Sequence, residues 1–285
     1  MPDRTVAEAI VERLAVRGVR RMFGVPGGDC NLDIIEAGRK LGVEFVLTRC
    51  ETAAAIMASV SGELTGAPGV VMTTRGPGLA SVANGAAYAT LDRAPLLVIA
   101  DNYEAGLDHV SHQRIDQSAL LRPVVKRESD LSGDDPNEEM DDLLDTAEAQ
   151  PPGAVYLEIT GARVRAPAPP APPAVAKAAA AGGEIDTALI EAAGALVGRA
   201  ARPVIIAGLQ ARAEPAAQAL RRLDEVADIV ILTNLQDQCR EARIDQLEGK
   251  GGAVPASAGR QLSGAQAEED DPVESEQAEA PRLRT

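Results

Sequence analysis

Glu51 is the residue whose type and position best suit proton chemistry. It stands where a predicted strand, Glu44–Leu47, leads into a predicted helix that begins at Glu51 itself. Two glycine-rich segments accompany it along the chain, Gly24–Asp29 and Thr73–Gly78. A carboxyl group can act as an acid or a base, and glycine turns let a ligand approach the backbone closely. The three features therefore predict a ligand site that contains an acid.

The elements that must position these residues follow an α/β pattern. Strand patterns alternate with helix patterns over roughly the first 160 residues; the strands are predicted at Arg21–Phe23, Glu44–Leu47, Gly69–Thr74, Leu96–Ala100 and Ala154–Ile159. A continuous apolar run such as Leu96–Ala100 is typical of a parallel strand that is buried on both faces. We therefore predict a three-layer α/β domain with a mostly parallel sheet, in which ligands bind at the carboxyl ends of the strands.

Helix boundaries are predicted from local signals. Thr5 and Glu8 fit a capping box at the start of the first helix. The Gly76-Pro77-Gly78 segment is expected to end a strand, and the following helix is predicted at Ala80–Leu91.

Composition argues against several classes of function. The formal net charge is −15, with much of the acidity in Asp130–Asp145 and Glu268–Glu279. Nucleic acids and anionic membranes are held by clustered Lys and Arg, so neither is an expected partner. No run approaches the roughly 20 apolar residues that cross a bilayer, and the first residues do not resemble a signal peptide. We expect a cytoplasmic protein.

Metal and disulfide chemistry are not expected either. His109 and His112 are the only histidines, and no third ligand stands near them in a recognisable pattern. Cys30, Cys50 and Cys239 are scattered and form no CxxC pair. We therefore predict no metal ligands among these residues.

Several short motifs share the order and spacing of one family. They are Phe23–Gly28, Thr48–Ala54, Arg75–Gly78, Leu91–Leu97, His112–Gln117, Gly153–Ile159 and Arg202–Gly208. Together they resemble the N-terminal, aminopyrimidine-binding domain of thiamine-diphosphate enzymes related to acetolactate synthase. The resemblance spans about 190 residues, whereas each motif is weak alone.

The resemblance implies roles for particular residues. Glu51 would hydrogen-bond a nitrogen of the cofactor's aminopyrimidine ring and exchange a proton with it. The cofactor contacts implied are Pro26, Gly27, Gly28, Glu51, Gly76, Pro77 and Gly78. Gln113 matches a glutamine that faces the substrate, a 2-oxo acid. Judged by residue type alone, the glycines could serve only tight turns, and Gln113 is equally suited to a cap or a surface position.

The environment of Glu51 contains two opposing effects. Burial against Ala53, Ala54 and Met57 would favour a neutral carboxyl group. Its place at a helix N-terminus would favour the carboxylate anion.

The predicted domains are unequal. Residues 1–162 form the pyrimidine-binding domain, and 163–183 form a linker rich in Ala and Pro. Residues 184–258 form part of a second α/β domain, and 259–285 are expected to be a disordered tail. The family's Gly-Asp-Gly motif, which holds Mg²⁺ and the diphosphate, does not occur in the 285 residues.

Three interpretations remain open at this point. The chain could be a shortened acetolactate-synthase-like enzyme, inactive alone because its Mg²⁺–diphosphate domain is missing. It could instead be one subunit of a split decarboxylase, working as a homodimer or with a chain that supplies that domain. It could also be a non-catalytic interaction protein that keeps the fold. FAD, which acetolactate synthases carry, would require a complete central domain.

Overall fold

The computed structural model describes residues 4–27, 29–107, 109–172, 186–201, 203–212, 214–226 and 230–233. Contacts divide the chain into two compact units, Met1–Ala192 and Ala193–Thr285. The first unit contains all the predicted site residues.

A six-stranded parallel sheet forms the middle layer of the first unit. Its strands are β1 (Arg21–Val25), β2 (Glu44–Leu47), β3 (Gly69–Thr73), β4 (Leu96–Asp101), β5 (Glu128–Ser129) and β6 (Ala154–Ile159). They lie in the order β2-β1-β3-β4-β6-β5, and every neighbouring pair is parallel. The predicted fold class, an α/β domain with a mostly parallel sheet, is confirmed.

Helices cover both faces of this sheet. They are α1 (Val6–Val16), α2 (Cys30–Leu41), α3 (Glu51–Thr65), α4 (Pro77–Leu91), α5 (Gln117–Leu121), α6 (Pro136–Glu148) and α7 (Gly161–Arg165). Helices α1, α2 and α6 pack on one face, where β3 and β4 contribute Met72 and Ile99. Helices α3, α4 and α5 pack on the other, against Val71 and Val98 of the same strands. Alternation along apolar strands thus builds two cores.

Helix starts agree only partly with the predictions. The capping box is confirmed, since the Thr5 side chain accepts from the Glu8 amide and the Glu8 carboxylate from the Thr5 amide. Helix α4 begins at Pro77, however, three residues before the predicted start at Ala80. Proline suits a first helical turn because its fixed φ is helical and its missing N–H would have no partner there. Pro77 and Gly78 therefore belong to the helix.

The beginning of the predicted linker lies against the first unit. Val164 is buried, and the amide of Val6 donates to the carbonyl of Ala166. Thr5 and Pro167 form an antiparallel bridge. Residues 173–185 and the predicted tail at 259–285 lie outside the described residues, and the division into domains remains a prediction.

The second unit contains a small parallel pair of strands. Helix α8 (Thr187–Arg199) precedes β7 (Val204–Ala207), a short 3₁₀ helix (Leu209–Arg212), α9 (Glu214–Val226) and β8 (Val230–Thr233). Strands β7 and β8 pair in parallel, and α9 forms the crossover between them. These elements alternate between helix and strand, and the predicted partial second α/β domain at 184–258 remains a prediction.

Candidate functional site

The strand order reverses between β1 and β3, and the region at the carboxyl ends of these two strands is called the crevice below. Strand β2 pairs with one edge of β1, and β3 pairs with the other edge. The chain therefore moves in one direction across the sheet from β1 to β2 and in the opposite direction from β2 to β3. Such switch points are where parallel α/β sheets bind ligands. Gly27 follows β1, and a Cβ atom on it would lie only 2.5 Å from Oγ1 of Thr74, which follows β3. The two predicted turns therefore meet in this crevice.

Glu51 lies beside the second turn. It is the first residue of α3 and is half-buried. Its Oε1 lies 3.3 Å from the position that a Cβ on Gly78 would occupy. The corner before α3 is fixed by Thr48, whose hydroxyl donates to the carbonyls of Gly24 and Cys50. The structure thus brings Glu51 and Gly78 together.

The burial expected around Glu51 is only partly present. Ala54 is buried, whereas Met57 is 44% exposed, and its contribution to the burial of Glu51 remains a prediction. Ala54, Ala55 and Ala58 form the stripe of α3 that faces the core, and Met57 lies outside this stripe.

Gly76 has a positive φ and lies in a crowded position. Its φ is +62°, which glycine adopts without penalty, and a Cβ would collide with the carbonyl oxygen of Gln113. Gln113 also has a positive φ of 58°, and its carbonyl accepts from the Tyr103 hydroxyl. The side chain of Gln113 is exposed. Its backbone, then, is the part that contacts the turn, and its predicted contact with substrate remains a prediction.

The other predicted contacts have different surroundings. Pro26 is half-buried after β1, and Pro77 is exposed in the first turn of α4. Gly28 lies outside the described residues. Assignment of these residues to cofactor binding remains a prediction.

A ring contact holds the loop between β4 and α5. The Tyr103 ring lies 5.3 Å from the Arg75 guanidinium and 5.0 Å from that of Arg114. Such cation–π contacts add modest stability. Since Arg75 follows β3, Tyr103 connects this loop to the crevice.

Asp101 is a buried acid to which no sequence motif pointed. It ends β4 and is 2% exposed. Its Oδ1 accepts from the Cys30 thiol and, at 2.6 Å, from Nδ2 of Asn31; its Oδ2 accepts from the Thr74 hydroxyl at 3.4 Å. A Cβ on Gly27 would lie 3.1 Å from Oδ2. Asp101 therefore links the start of α2 to the turn after β3. The available signal was a charged residue at the end of an apolar run.

Burial changes the protonation of this cluster. Burial raises the pKa of Asp101, and the hydrogen bonds from Cys30 and Asn31 offset only part of that rise. Burial and the nearby charge of Asp101 also raise the pKa of the Cys30 thiol far above its ordinary range. Cys30 is therefore a neutral donor at physiological pH.

Asp101 should make the stability of the chain depend on pH. Because its pKa is higher in the folded chain than in the unfolded chain, its contribution to stability is complete below about pH 4 and is lost as the pH rises through the folded value. Asp101→Asn keeps an acceptor for Cys30 and Asn31 but cannot ionise. We expect the wild type to lose stability relative to this variant as the pH rises from about 4 through the folded pKa of Asp101, at about 1.4 kcal/mol for each pH unit between the two pKa values.

Urea denaturation at a series of pH values would measure this difference. Asp142→Asn, at an exposed position of α6, is the control, and its stability should run parallel to that of the wild type. Parallel curves for Asp101→Asn would contradict the assignment.

The described residues offer neither a metal cluster nor a membrane span. Among them, no group of three His, Cys, Asp or Glu side chains could hold a metal ion, and His112 is exposed. No helix in the described part of the chain is long and apolar enough to span a bilayer.

The arrangement as a whole suits a flat heteroaromatic ligand. Glu51 offers a carboxyl group that can donate to or accept from a ring nitrogen. Gly27 and Gly78 have no side chains, and Thr74 packs closely against both of them, so the two turns meet beside the Glu51 carboxyl group.

Known proteins share this sequence and fold. Residues 4–120 match the family model described as thiamine pyrophosphate enzyme, N-terminal TPP binding domain. Acetolactate synthase of Bacillus subtilis (strain 168) is 32% identical over 229 residues, which are 76% of this chain and 38% of that protein. Acetolactate synthase isozyme 3 large subunit of Escherichia coli (strain K12) is 39% identical over 122 residues, 42% of this chain and 21% of that protein.

A solved structure has the same fold. It is the thiamine diphosphate-dependent 4-hydroxybenzoylformate decarboxylase of Rhodococcus jostii RHA1, with a TM-score of 0.69 and 23% sequence identity. The match covers 80% of this chain and 44% of that one. This chain thus spans less than half the length of each of these relatives.

Proposed function

Because residues 4–120 form an N-terminal TPP binding domain of the thiamine pyrophosphate enzyme family, we propose that the crevice between β1 and β3 binds the aminopyrimidine ring of thiamine diphosphate. The observation that carries this proposal is the approach of the Glu51 carboxyl oxygen to Gly78, where it lies 3.3 Å from the place that a Cβ would take. An acid held against a turn without side chains suits a flat ring that carries a basic nitrogen. The residues present therefore fit this part of the cofactor.

Glu51 has a defined task in this proposal. It hydrogen-bonds a ring nitrogen and exchanges a proton with it, while the Gly27 and Gly78 backbones hold the ring in place. When bound, thiamine diphosphate supplies the electron-accepting ring that allows carbon dioxide to leave a 2-oxo acid. The side chains of this chain contribute orientation and proton transfer.

We further propose an acetolactate-synthase-like reaction, the decarboxylation of a 2-oxo acid followed by carboligation. The names of the relatives support this class, which includes acetolactate synthases and a 4-hydroxybenzoylformate decarboxylase. Acetolactate formation would place the protein in branched-chain amino acid biosynthesis. FAD use is not part of the proposal.

The diphosphate requires a second binding site. The 285 residues contain no Gly-Asp-Gly segment for Mg²⁺ and diphosphate. Charge-assisted contacts of that kind are among the strongest in proteins. We propose that this site is supplied outside these residues, by a partner chain that carries it, and that the 285-residue polypeptide alone binds the cofactor weakly and turns over no substrate.

An amide NMR titration with thiamine diphosphate and Mg²⁺ tests the binding proposal, because it detects weak binding. We expect shifts concentrated at Gly27, Glu51, Gly76 and Gly78. Gly78→Val should remove them, since a Cβ there already meets side-chain atoms of Thr74 at 2.6 Å and of Glu51 at 3.3 Å.

Ala80→Val is the matched control for this titration. It adds bulk at an exposed position of the same helix and should leave the shifts unchanged. Absence of localised shifts in the wild type at millimolar thiamine diphosphate would overturn the proposal.

A further inference from the structure

Gln117 has a buried carboxamide side chain that hydrogen-bonds the turn at Gly76. It is the first residue of α5, and only 2% of it is exposed. Its Oε1 accepts from the amide of Gly76 at 2.6 Å. Its Nε2 donates to the carbonyl of Asp101 at 3.0 Å and to Oε1 of Glu158 at 2.7 Å, with Tyr156 farther away at 3.4 Å. One side chain thus connects the turn to β4 and β6.

The orientation of this carboxamide is determined by its partners. The amide of Gly76 can only donate, so it must face the oxygen of Gln117. The carbonyl of Asp101 can only accept, so it must face the nitrogen. A rotated amide would oppose like groups on both sides, and a carboxylate would oppose the Asp101 carbonyl and the Glu158 side chain. Glutamine therefore fits these partners in one orientation.

Gly76 is held from two directions by the same stretch of chain. The carbonyl of Gln113 packs against its Cα, and the side chain of Gln117 receives its N–H. Gly76 is also the N-cap of α4, and Gly78 lies in the first turn of that helix. A shift of Gly76 would consequently move Gly78 relative to Glu51.

We propose that Gln117 is a positioning residue that fixes the Gly76 turn and thereby holds Gly78 at the carboxyl group of Glu51. The inference rests on the proposed function, because the geometry it maintains is that of the pyrimidine site. Gln117 itself does not contact the ligand. Its effect reaches the site through the backbone of residues 76–78.

Gln117→Met separates positioning from simple stability. Methionine keeps the length of the side chain and removes all of its hydrogen bonds. We expect the Gly76 amide to exchange its hydrogen about tenfold faster or more, because its buried acceptor is lost. The amide of Gly69, which donates to the Pro95 carbonyl at the other end of β3, should keep its exchange rate relative to the rest of the fold.

Asn137→Leu is the matched control, since it also replaces a buried amide by an apolar group of similar size. Asn137 is fully buried, and its side chain bonds Arg4 and Asp135. Both variants should lower the free energy of unfolding. Only Gln117→Met should weaken binding of thiamine diphosphate, by about tenfold, in the amide NMR titration with Mg²⁺.

The outcomes distinguish this inference from the proposed function. The wild type could fail to bind thiamine diphosphate while its Gly76 amide is protected from exchange and loses this protection in Gln117→Met. That result would reject thiamine binding but support the hydrogen bond between Gln117 and Gly76. Equal affinity of wild type and Gln117→Met would overturn the positioning role. Should that variant fail to fold, exchange in the wild type still decides, because a Gly76 amide that exchanges like an unprotected one overturns the hydrogen bond itself.

Discussion

Replacing Gly76 by alanine should destabilise the chain by about 2–6 kcal/mol and abolish binding in the crevice. Two costs add at this position. The backbone conformation of Gly76, with φ +62° and ψ −115°, is unfavourable for alanine by about 1–3 kcal/mol. The new Cβ also collides with the carbonyl oxygen of Gln113, a backbone atom that cannot rotate away, and such overpacking costs about 1–3 kcal/mol.

Gly66→Ala places a side chain at a positive φ without a collision, so it serves as the comparison. Gly66 ends α3 with a φ of +72°, and no atom lies within 4 Å of a Cβ built there. Its replacement should therefore cost only about 1 kcal/mol and leave binding intact. Urea denaturation of both variants would measure the difference. Equal losses would show that the contact with Gln113 contributes nothing.

The parts of the site that sequence predicts are those with local signals. Glu51 stands at a strand–helix junction, and the glycine turns are recognisable because few other residues take their conformations. A parallel sheet then brings such junctions to one edge. This reasoning was sufficient to place Glu51 and Gly78 in one crevice.

Asp101 and Gln117 escaped prediction because their partners are distant in sequence. The Asp101 carboxylate meets Asn31, which is 70 residues away, and the Gln117 amide meets Gly76, which is 41 residues away. Hydrophobic periodicity carries no information about such pairs, and they can be predicted only when the strand order is known. The family motif predicts a role for Gln113, four residues earlier, but Gln117 is the residue that is buried.

Contacts made through the main chain could not be predicted from the sequence either. The residues after α7 lie against α1 through main-chain hydrogen bonds, such as that from Ala168 to the Arg4 carbonyl. An Ala/Pro-rich composition predicts an extended chain but not what the chain pairs with. Strand β5 has two residues, Glu128 and Ser129, too few to produce an alternating pattern.

Glu51→Gln should reduce catalysis about a hundredfold to ten-thousandfold in an enzyme completed with a diphosphate-binding domain, the usual range for loss of a general acid–base. The completed enzyme would be a chimera in which this chain's matching residues replace the 229-residue aligned segment of the Bacillus subtilis acetolactate synthase. Glutamine keeps the shape and hydrogen-bonding capacity of Glu51 but cannot transfer its proton. The rate of 2-oxo acid decarboxylation and the affinity for thiamine diphosphate should be measured together.

Glu63→Gln provides the control, because it removes a carboxylate from the same helix, three turns farther along. This control should retain the activity of the chimera. For Glu51→Gln, a fall in rate with a change in cofactor affinity of less than about tenfold would locate the defect in proton transfer, since one hydrogen bond accounts for no more than that. Full activity of Glu51→Gln in a chimera that depends on thiamine diphosphate would remove this carboxyl group from the mechanism, whatever its distance from Gly78.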